Sequence, residues 1–421
     1  MSYDRGPALW RERNLRNLLI LILLSSMVAW SVVPFIPLEL LHKGASPTAV
    51  GVVVAGSGFG YLFGQYPAAL LVGRIPVHRA AAIALLLEAL GTIIILYTAN
   101  PLLLVPLRLA VGGGRAVIGQ CARAVVVRSI PNERRGEAFG IVGALTMAGT
   151  TVGTLGGGLL AEVQLNYVFV VAAASTLIAM PICLRLRVVP GHEPSEPPAH
   201  APAATARRYF EAVVPLTRLQ RGHRALLIGL LLETLGGALL IGVYNSVWSI
   251  FLRHHGAPVW VLGFAYALFT VPYLFLAPLA GRIGDRGHRK TMALAGTVTS
   301  SLLMLAYTRL SSLPAILSGE LVEAVSGSLA EPALAAMVTE VGTEDVQEKV
   351  FGLVGTVQAA SVGGGAMLGG WLLGWGVNVP LVAGGALALG FAGSAALVWR
   401  LVPQPEMKAP QPTAADVLPG T

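Results

Sequence analysis

Phe139-Gly140-Ile141-Val142-Gly143 returns 212 positions later as Phe351-Gly352-Leu353-Val354-Gly355 (351 − 139). The same offset joins Gly44-Ala45 and Gly51 to Gly256-Ala257 and Gly263, Tyr61-Leu62-Phe63 to Tyr273-Leu274-Phe275, and Gly157-Gly158 to Gly369-Gly370. Gly73-Arg74-Ile75 and Gly281-Arg282-Ile283 stand 208 apart (281 − 73), a local length change that leaves the register otherwise intact. Gly- and Ala-rich segments match one another by chance at single places, but not at one offset through several segments. The chain is therefore a tandem repeat, each copy about half of its 421 residues and both running in the same direction.

Composition identifies the solvent around that repeat. Hydrophobic residues make up 55% and charged residues 12%, and the mean hydropathy is +0.71, whereas about a quarter of a soluble domain is charged. A helix needs roughly 20 apolar residues to cross the ~30 Å hydrocarbon layer. Twelve stretches qualify, near 17–38, 50–72, 80–99, 101–124, 138–161, 167–188, 225–251, 258–280, 291–309, 313–338, 351–373 and 380–401. That gives six spans per repeat, a first half over 1–189 and a second over 223–402. The joints are too short for a separate soluble enzyme or receptor domain. The exception, 190–222, carries Pro190, Pro194, Pro197, Pro198 and Pro202 ahead of Arg207, Arg208, Arg218 and Arg221 and reads as a cytoplasmic linker. The Pro-rich end, 403–421, reads as a disordered cytoplasmic tail. The first apolar run is too long for a signal peptide and lacks a small-residue cleavage site, so it is expected to stay as a span. Cys121 and Cys183 fall inside spans and read as small buried hydrophobes.

A formal net charge of +8 could point to nucleic acid, but the arginines follow a membrane pattern instead. Arg5, Arg11, Arg13, Arg16, Arg74, Arg79, Arg128, Arg134, Arg135, Arg185, Arg187, the linker arginines, Arg282, Arg286, Arg289 and Lys290 all fall on one side. Only Lys43, Arg253 and Arg309 fall on the other. Positive charge stays inside, so both termini are expected in the cytoplasm of a multi-pass protein of the inner, cytoplasmic membrane, with no nucleic-acid partner.

After the eighth span runs Gly281-Arg282-Ile283-Gly284-Asp285-Arg286-Gly287-His288-Arg289-Lys290. It resembles the Gly-x-x-x-Asp-Arg-x-Gly-Arg-Arg/Lys loop of the major facilitator superfamily. The resemblance covers nearly the whole chain. It implies an all-α integral membrane fold of 12 transmembrane helices in two pseudo-symmetric six-helix bundles around a central cavity. In that family the loop is a latch between access states, and Gly281, Asp285, Arg286, Gly287 and Arg289 are its counterparts here. The first-half equivalent, Gly73-Arg74-Ile75-Pro76-Val77-His78-Arg79, is two residues shorter and lacks the aspartate. Arg108-Leu109-Ala110-Val111-Gly112-Gly113-Gly114 in the fourth span resembles the family's Arg-x-x-x-Gly-x-Gly element, associated with proton coupling. Arg115 lies seven residues on, along the same face, and for both arginines a structural role beside neighbouring carbonyls fits as well. Gly140, Gly149, Gly153, Thr154, Gly157 and Gly158 in the fifth span match the family's antiporter pattern except that Thr154 stands in place of proline. Gly149, Gly153, Gly157 and Gly158 are expected to pack at the interface between halves.

Glu88, Glu233, Glu320, Glu323 and Glu331 lie within spans, where an acid is expensive and marks function by default. Burial disfavours the charged form of a carboxyl and a nearby arginine favours it, so an acid with a movable cation partner can load and release a proton. Glu320 and Glu323, three apart, can share one proton, and the 212 offset sets Glu320 against Arg108 (320 − 108). The family's first, fourth, seventh and tenth helices line its cavity. That places Glu233, Glu320, Glu323, Arg108 and Arg115 there, with Glu88 on a peripheral helix. The first span has no acid before Glu39, which moves coupling to the second half. Trp30, Tyr244 and Trp248 suit an apolar cavity. The resulting expectation is a monomeric secondary transporter without cofactor or metal, which exchanges small amphipathic or drug-like solutes for protons. A proton-coupled importer or a lipid or glycolipid flippase of the same fold is the alternative. His42, His78, His254, His255 and His288 fall at span ends or in loops, which disfavours a membrane enzyme and leaves no catalytic residue. No Gly-x-x-x-x-Gly-Lys-Ser/Thr run suggests ATP use.

Overall fold

The computed structural model describes residues 12–131, 134–186, 219–341 and 344–401. Residues 190–218 of the expected linker and the tail 403–421 lie outside them. Among the described residues the regular structure is helical. Twelve long helices follow one another: α1 (Arg13–His42), α2 (Pro47–Arg74), α3 (Val77–Leu96), α4 (Pro101–Ser129), α5 (Arg135–Val163), α6 (Leu165–Leu184), α7 (Arg221–His254), α8 (Val259–Ile283), α9 (Arg289–Tyr307), α10 (Leu313–Val338), α11 (Glu344–Leu373) and α12 (Val379–Leu401). Eleven contain a run long and apolar enough to cross a membrane. The exception is α9, 19 residues long, with Thr297, Thr299, Ser300 and Ser301 at its middle.

Local chemistry sets the ends. Ser46 accepts from the Ala49 amide at 3.2 Å with Pro47 in the first helical position, and Asn100 accepts from Leu102 at 3.0 Å ahead of Pro101. Ile75 takes extended backbone (φ −119, ψ 156) because Pro76 follows it, which breaks α2 from α3. The α1–α2 and α7–α8 turns are copies of one another. Gly44 and Gly256 have φ of +80 and +78, a left-handed conformation suited to glycine. The amides that follow repeat the same bonds, Ala45 to Leu40 O and Ala257 to Leu252 O, both 3.0 Å.

The packing forms two six-helix bundles. In the first, α1 packs on α5 and α6, α2 on α4, and α3 on α4 and α6; in the second, α7 packs on α11 and α12, α8 on α10, and α9 on α10 and α12. The bundles meet most extensively through two helix pairs, α2 with α11 and α5 with α8, and α1 also touches α7. At each seam glycine meets glycine. A Cβ on Gly51 would stand 2.7 Å from Gly370 Cα, and one on Gly158 would stand 3.1 Å from Gly263 Cα. These two contacts exchange under the 212 offset (263 − 51 and 370 − 158), so the repeat in the sequence is a pseudo-twofold axis in space. Along α5–α8, Thr151 and Thr270 share a hydroxyl hydrogen bond of 2.8 Å, and the Trp260 amide donates to Glu162 at 3.0 Å.

The apolar core differs between the two ends of the molecule. At the end carrying the Gly44 and Gly256 turns, one cluster spans both bundles, with Val32, Phe35, Ile36 and Leu40 joined to Phe251, Leu252 and Leu262. At the other end each bundle keeps its own cluster: Leu15, Leu18, Cys121 and Val125 in the first, Leu226, Leu227, Met337 and Trp399 in the second. There Gly140, Gly143, Gly352 and Gly355 face open space. The bundles are thus sealed together at one end and parted at the other.

Candidate functional site

Between α7, α9 and α10 the second bundle encloses two carboxyls in aromatic rings. Trp248 Nε1–H donates to Glu320 Oε1 at 3.2 Å, and the other Glu320 oxygen has no hydrogen-bond partner among the described residues. Glu323 Oε2 accepts from the hydroxyls of Tyr244 (2.8 Å) and Tyr307 (3.2 Å). Tyr266 of α8 donates to the Tyr244 carbonyl at 3.2 Å. Trp248 stands at the centre, its ring 5.0 Å from both Tyr244 and Tyr307 and stacked on Phe251 at 5.3 Å. Gly319, one turn before Glu323, makes room for Tyr307: a Cβ there would be 2.8 Å from the ring. Among the described residues neither acid is ion-paired. Both carboxyls are buried, only 4% and 3% exposed, behind Trp248 and Tyr307. Chemically the pair has donors and no cation, an arrangement in which a proton can replace a negative charge without rearranging an ion pair.

The first bundle uses its polar groups otherwise. Arg108 is buried and donates to Ser57 Oγ of α2 at 3.0 Å, while its Nε has no partner among the described residues. Gly56 lets it approach, with an added Cβ falling 2.9 Å from Arg108 Cβ. Arg115 forks onto Glu88 of α3 at 2.9 and 3.4 Å. Arg108 and Arg115 share a helix face as the spacing requires, yet their guanidinium groups turn to different helices. Of Glu88, Glu233, Glu320, Glu323 and Glu331, it is Glu88, assigned to the periphery, that an arginine holds among the described residues.

Two further expectations change. Glu233 is on the predicted helix, α7, but is fully buried, with Thr297 of α9 its polar neighbour. It lies eleven residues, roughly 16 Å of helix, from Tyr244, so it does not join the aromatic group. Gly149, Gly153 and Gly157 pack on Leu23, Met27 and Ser31 of α1 in their own bundle, and of the four interface glycines Gly158 reaches the other half. The side chains of Asp285 and Arg286, and Gly281 with them, lie outside the described residues. Of that loop, Gly287 adopts φ +93 and Arg289 pairs with Glu340 after α10. Tyr307, Tyr266 and Ser57 were not singled out by sequence. For Tyr307 the available signal is glycine at 319, which receives its ring.

Comparison with known proteins follows this geometry. The sequence model described as Major Facilitator Superfamily matches residues 18–242 and again 226–419. The chain is 27% identical over 355 residues to the tetracycline resistance protein, class D, of Salmonella ordonez, covering 80% of this chain and 83% of that one. It is 28% identical over 164 residues to multidrug resistance protein 2 of Bacillus subtilis (strain 168), 39% of this chain, and spans only 40% of that protein's length. Among solved structures, a bacterial homologue of the human lysosomal transporter Spinster, inward-facing and unoccupied, superposes with a TM-score of 0.70 at 16% identity, over 94% of this chain and 97% of that one. The nucleoside transporter NupG does so with a TM-score of 0.66 at 13% identity, over 92% and 98%. At these identities the structures speak for the fold.

Proposed function

The chain belongs to the Major Facilitator Superfamily, and from that premise we propose that this membrane transporter exports small amphipathic or drug-like solutes in exchange for protons. The observation that carries the coupling is the Glu320–Glu323 pair, sealed among Trp248, Tyr244 and Tyr307 with no cation partner among the described residues. The relatives named for multidrug and tetracycline resistance support the solute class and direction. The sealed end, with Lys43 and Arg253, is the outer face and the parted end the cytoplasmic one, as the arginine bias suggests. The described conformation then offers the cavity to the cytoplasm, from which an exporter loads. The chain works as a monomer with both termini in the cytoplasm. Protonation neutralises the pair and deprotonation restores charge at the α7–α9–α10 junction. That junction abuts the apolar seal between bundles, so a change of charge shifts the balance between the two access states.

Full-length protein in liposomes with an imposed pH gradient tests this, with tetracycline and ethidium as probes. Wild-type protein accumulates at least one probe against its gradient, and Glu320→Gln with Glu323→Gln removes accumulation while leaving downhill exchange. Uphill transport by the double variant with ordinary pH dependence would overturn coupling at this pair.

A further inference from the structure

Along α10, Gly319, Glu323, Gly327 and Glu331 recur every four residues on one side of the helix. Each glycine receives a tyrosine from a neighbouring helix. Tyr307 covers Gly319 and bonds Glu323. Tyr273 of α8 covers Gly327, and a Cβ at that position would lie 2.7 Å from the tyrosine hydroxyl. The Tyr273 hydroxyl therefore rests on the turn between Glu323 and Glu331, within electrostatic reach of both.

Glu331 differs from the sealed acids in being exposed, and not to lipid. Leu321, Val322 and Val325 mark the outward side of α10 at 42%, 55% and 38% exposure. Glu331 sits about 130° round the helix from their centre, at 100° per residue, on the side of Glu320 and away from that outward side. At four-residue spacing it lies two turns beyond Glu323 toward the parted end.

We propose that Glu331 and Tyr273 are the proton entry to the Glu320–Glu323 pair, linking the water between the bundles to the sealed carboxyls by a route of their own. The inference rests on reading that pair as the coupling site. In loading, Glu331 gives its proton to the Tyr273 oxygen as the Tyr273 hydroxyl proton passes to the Glu323 carboxylate. Glu331, left as a carboxylate, is reprotonated from water, and no charge remains on the tyrosine. The groups facing this line are Tyr244 from α7, Ser300 and Tyr307 from α9 and Glu320 from α10 around Glu323, Trp248 and Tyr266 around Glu320, and Tyr273 from α8 beside Glu331. Among the described residues none of the three glutamates is ion-paired. Gly327 acts by position, since any side chain there displaces the hydroxyl.

The test uses full-length protein in liposomes containing a trapped pH dye, with tetracycline as probe and an imposed pH gradient. Glu331→Gln, Tyr273→Phe and Gly327→Ala should each slow gradient-driven uptake and the accompanying proton flux about tenfold, at unchanged tetracycline exchange and unchanged final accumulation, because an entry route sets rate and not stoichiometry. Thr297→Val, which alters the neighbour of Glu233 instead, should leave the rate intact. Wild-type rates in Glu331→Gln and Tyr273→Phe, with accumulation still lost in Glu323→Gln, overturn the entry route and leave the coupling site standing. Accumulation that survives in Glu323→Gln overturns both. Thermal midpoints measured alongside identify a variant that fails by unfolding, and the two remaining substitutions then decide.

Discussion

The two bundles share a backbone plan and divide the chemistry. At matched positions of α4 and α10 the first carries Arg108 and the second Glu320 (320 − 108). The first bundle pairs one charge internally, with Arg115 forked on Glu88, and sets the Arg108 guanidinium on the neutral hydroxyl of Ser57. The second leaves two acids among phenols and an indole. A satisfied ion pair holds structure and resists a change of protonation, whereas caged carboxyls can change charge with little movement around them. Pseudo-symmetry of fold therefore does not extend to these side chains: an ion pair stands in one half and carboxyls without a cation, among the described residues, stand in the other.

The largest way to break that contrast is to interchange the tests. Glu320→Gln with Glu323→Gln should reduce pH-driven accumulation to the level of empty liposomes while the thermal midpoint stays near wild type. Glu88→Gln should do the reverse. Leaving Arg115 without its anion costs about 3 kcal/mol of stability, read as a lower midpoint in detergent, while proton-to-solute stoichiometry in folded protein is unchanged. Restoring neutrality with Glu88→Gln and Arg115→Met together should recover most of that loss, and failure to recover would mean that the pair does more than hold α3 to α4. A smaller effect is expected from Arg289→Met or Glu340→Gln, which sever the ion pair behind the α8–α9 loop. With one partner about a fifth exposed, such a pair contributes about 1 kcal/mol at most, so turnover should fall by no more than several-fold at unchanged probe binding. The smallest belongs to Thr151→Val, which removes one hydroxyl bond to Thr270 at about 1 kcal/mol. If that bond helps hold the outer end closed, the variant should show faster labelling of an outward-facing cysteine placed in the seal.

Much of the architecture was legible because repetition is a one-dimensional property. The 212 offset located the paired turns, and the structure returned it as matched φ angles at Gly44 and Gly256. Helix faces were legible as well: Glu320 and Glu323 do lie on the inner side of α10. What spacing cannot state is which neighbour a face meets. Gly149, Gly153 and Gly157 form a stripe as expected, yet the helix lying in it is α1. Arg108 and Arg115 are in line, yet Ser57 and Glu88 come from helices whose approach is set by tertiary packing. Glu233 shows the same limit, since membership of a lining helix does not bring a side chain to the lining. Nor could hydropathy reveal that Glu320 and Glu323 are sealed, because the lid is made by Trp248 and Tyr307 from two other helices.

The glycine contacts at Gly51–Gly370 and Gly158–Gly263 bear on friction. Where two bundles roll over one another, interlocked side chains must unmesh, and every rotamer that has to change adds a barrier. Bare backbone against bare backbone has no teeth, so the pair of contacts behaves as a smooth bearing on either side of the pseudo-twofold axis. A single methyl at Gly51 or Gly263 would act there as grit. Because the added Cβ would fall 2.7 Å or less from backbone atoms of the facing helix, the two helices would have to move apart to admit it.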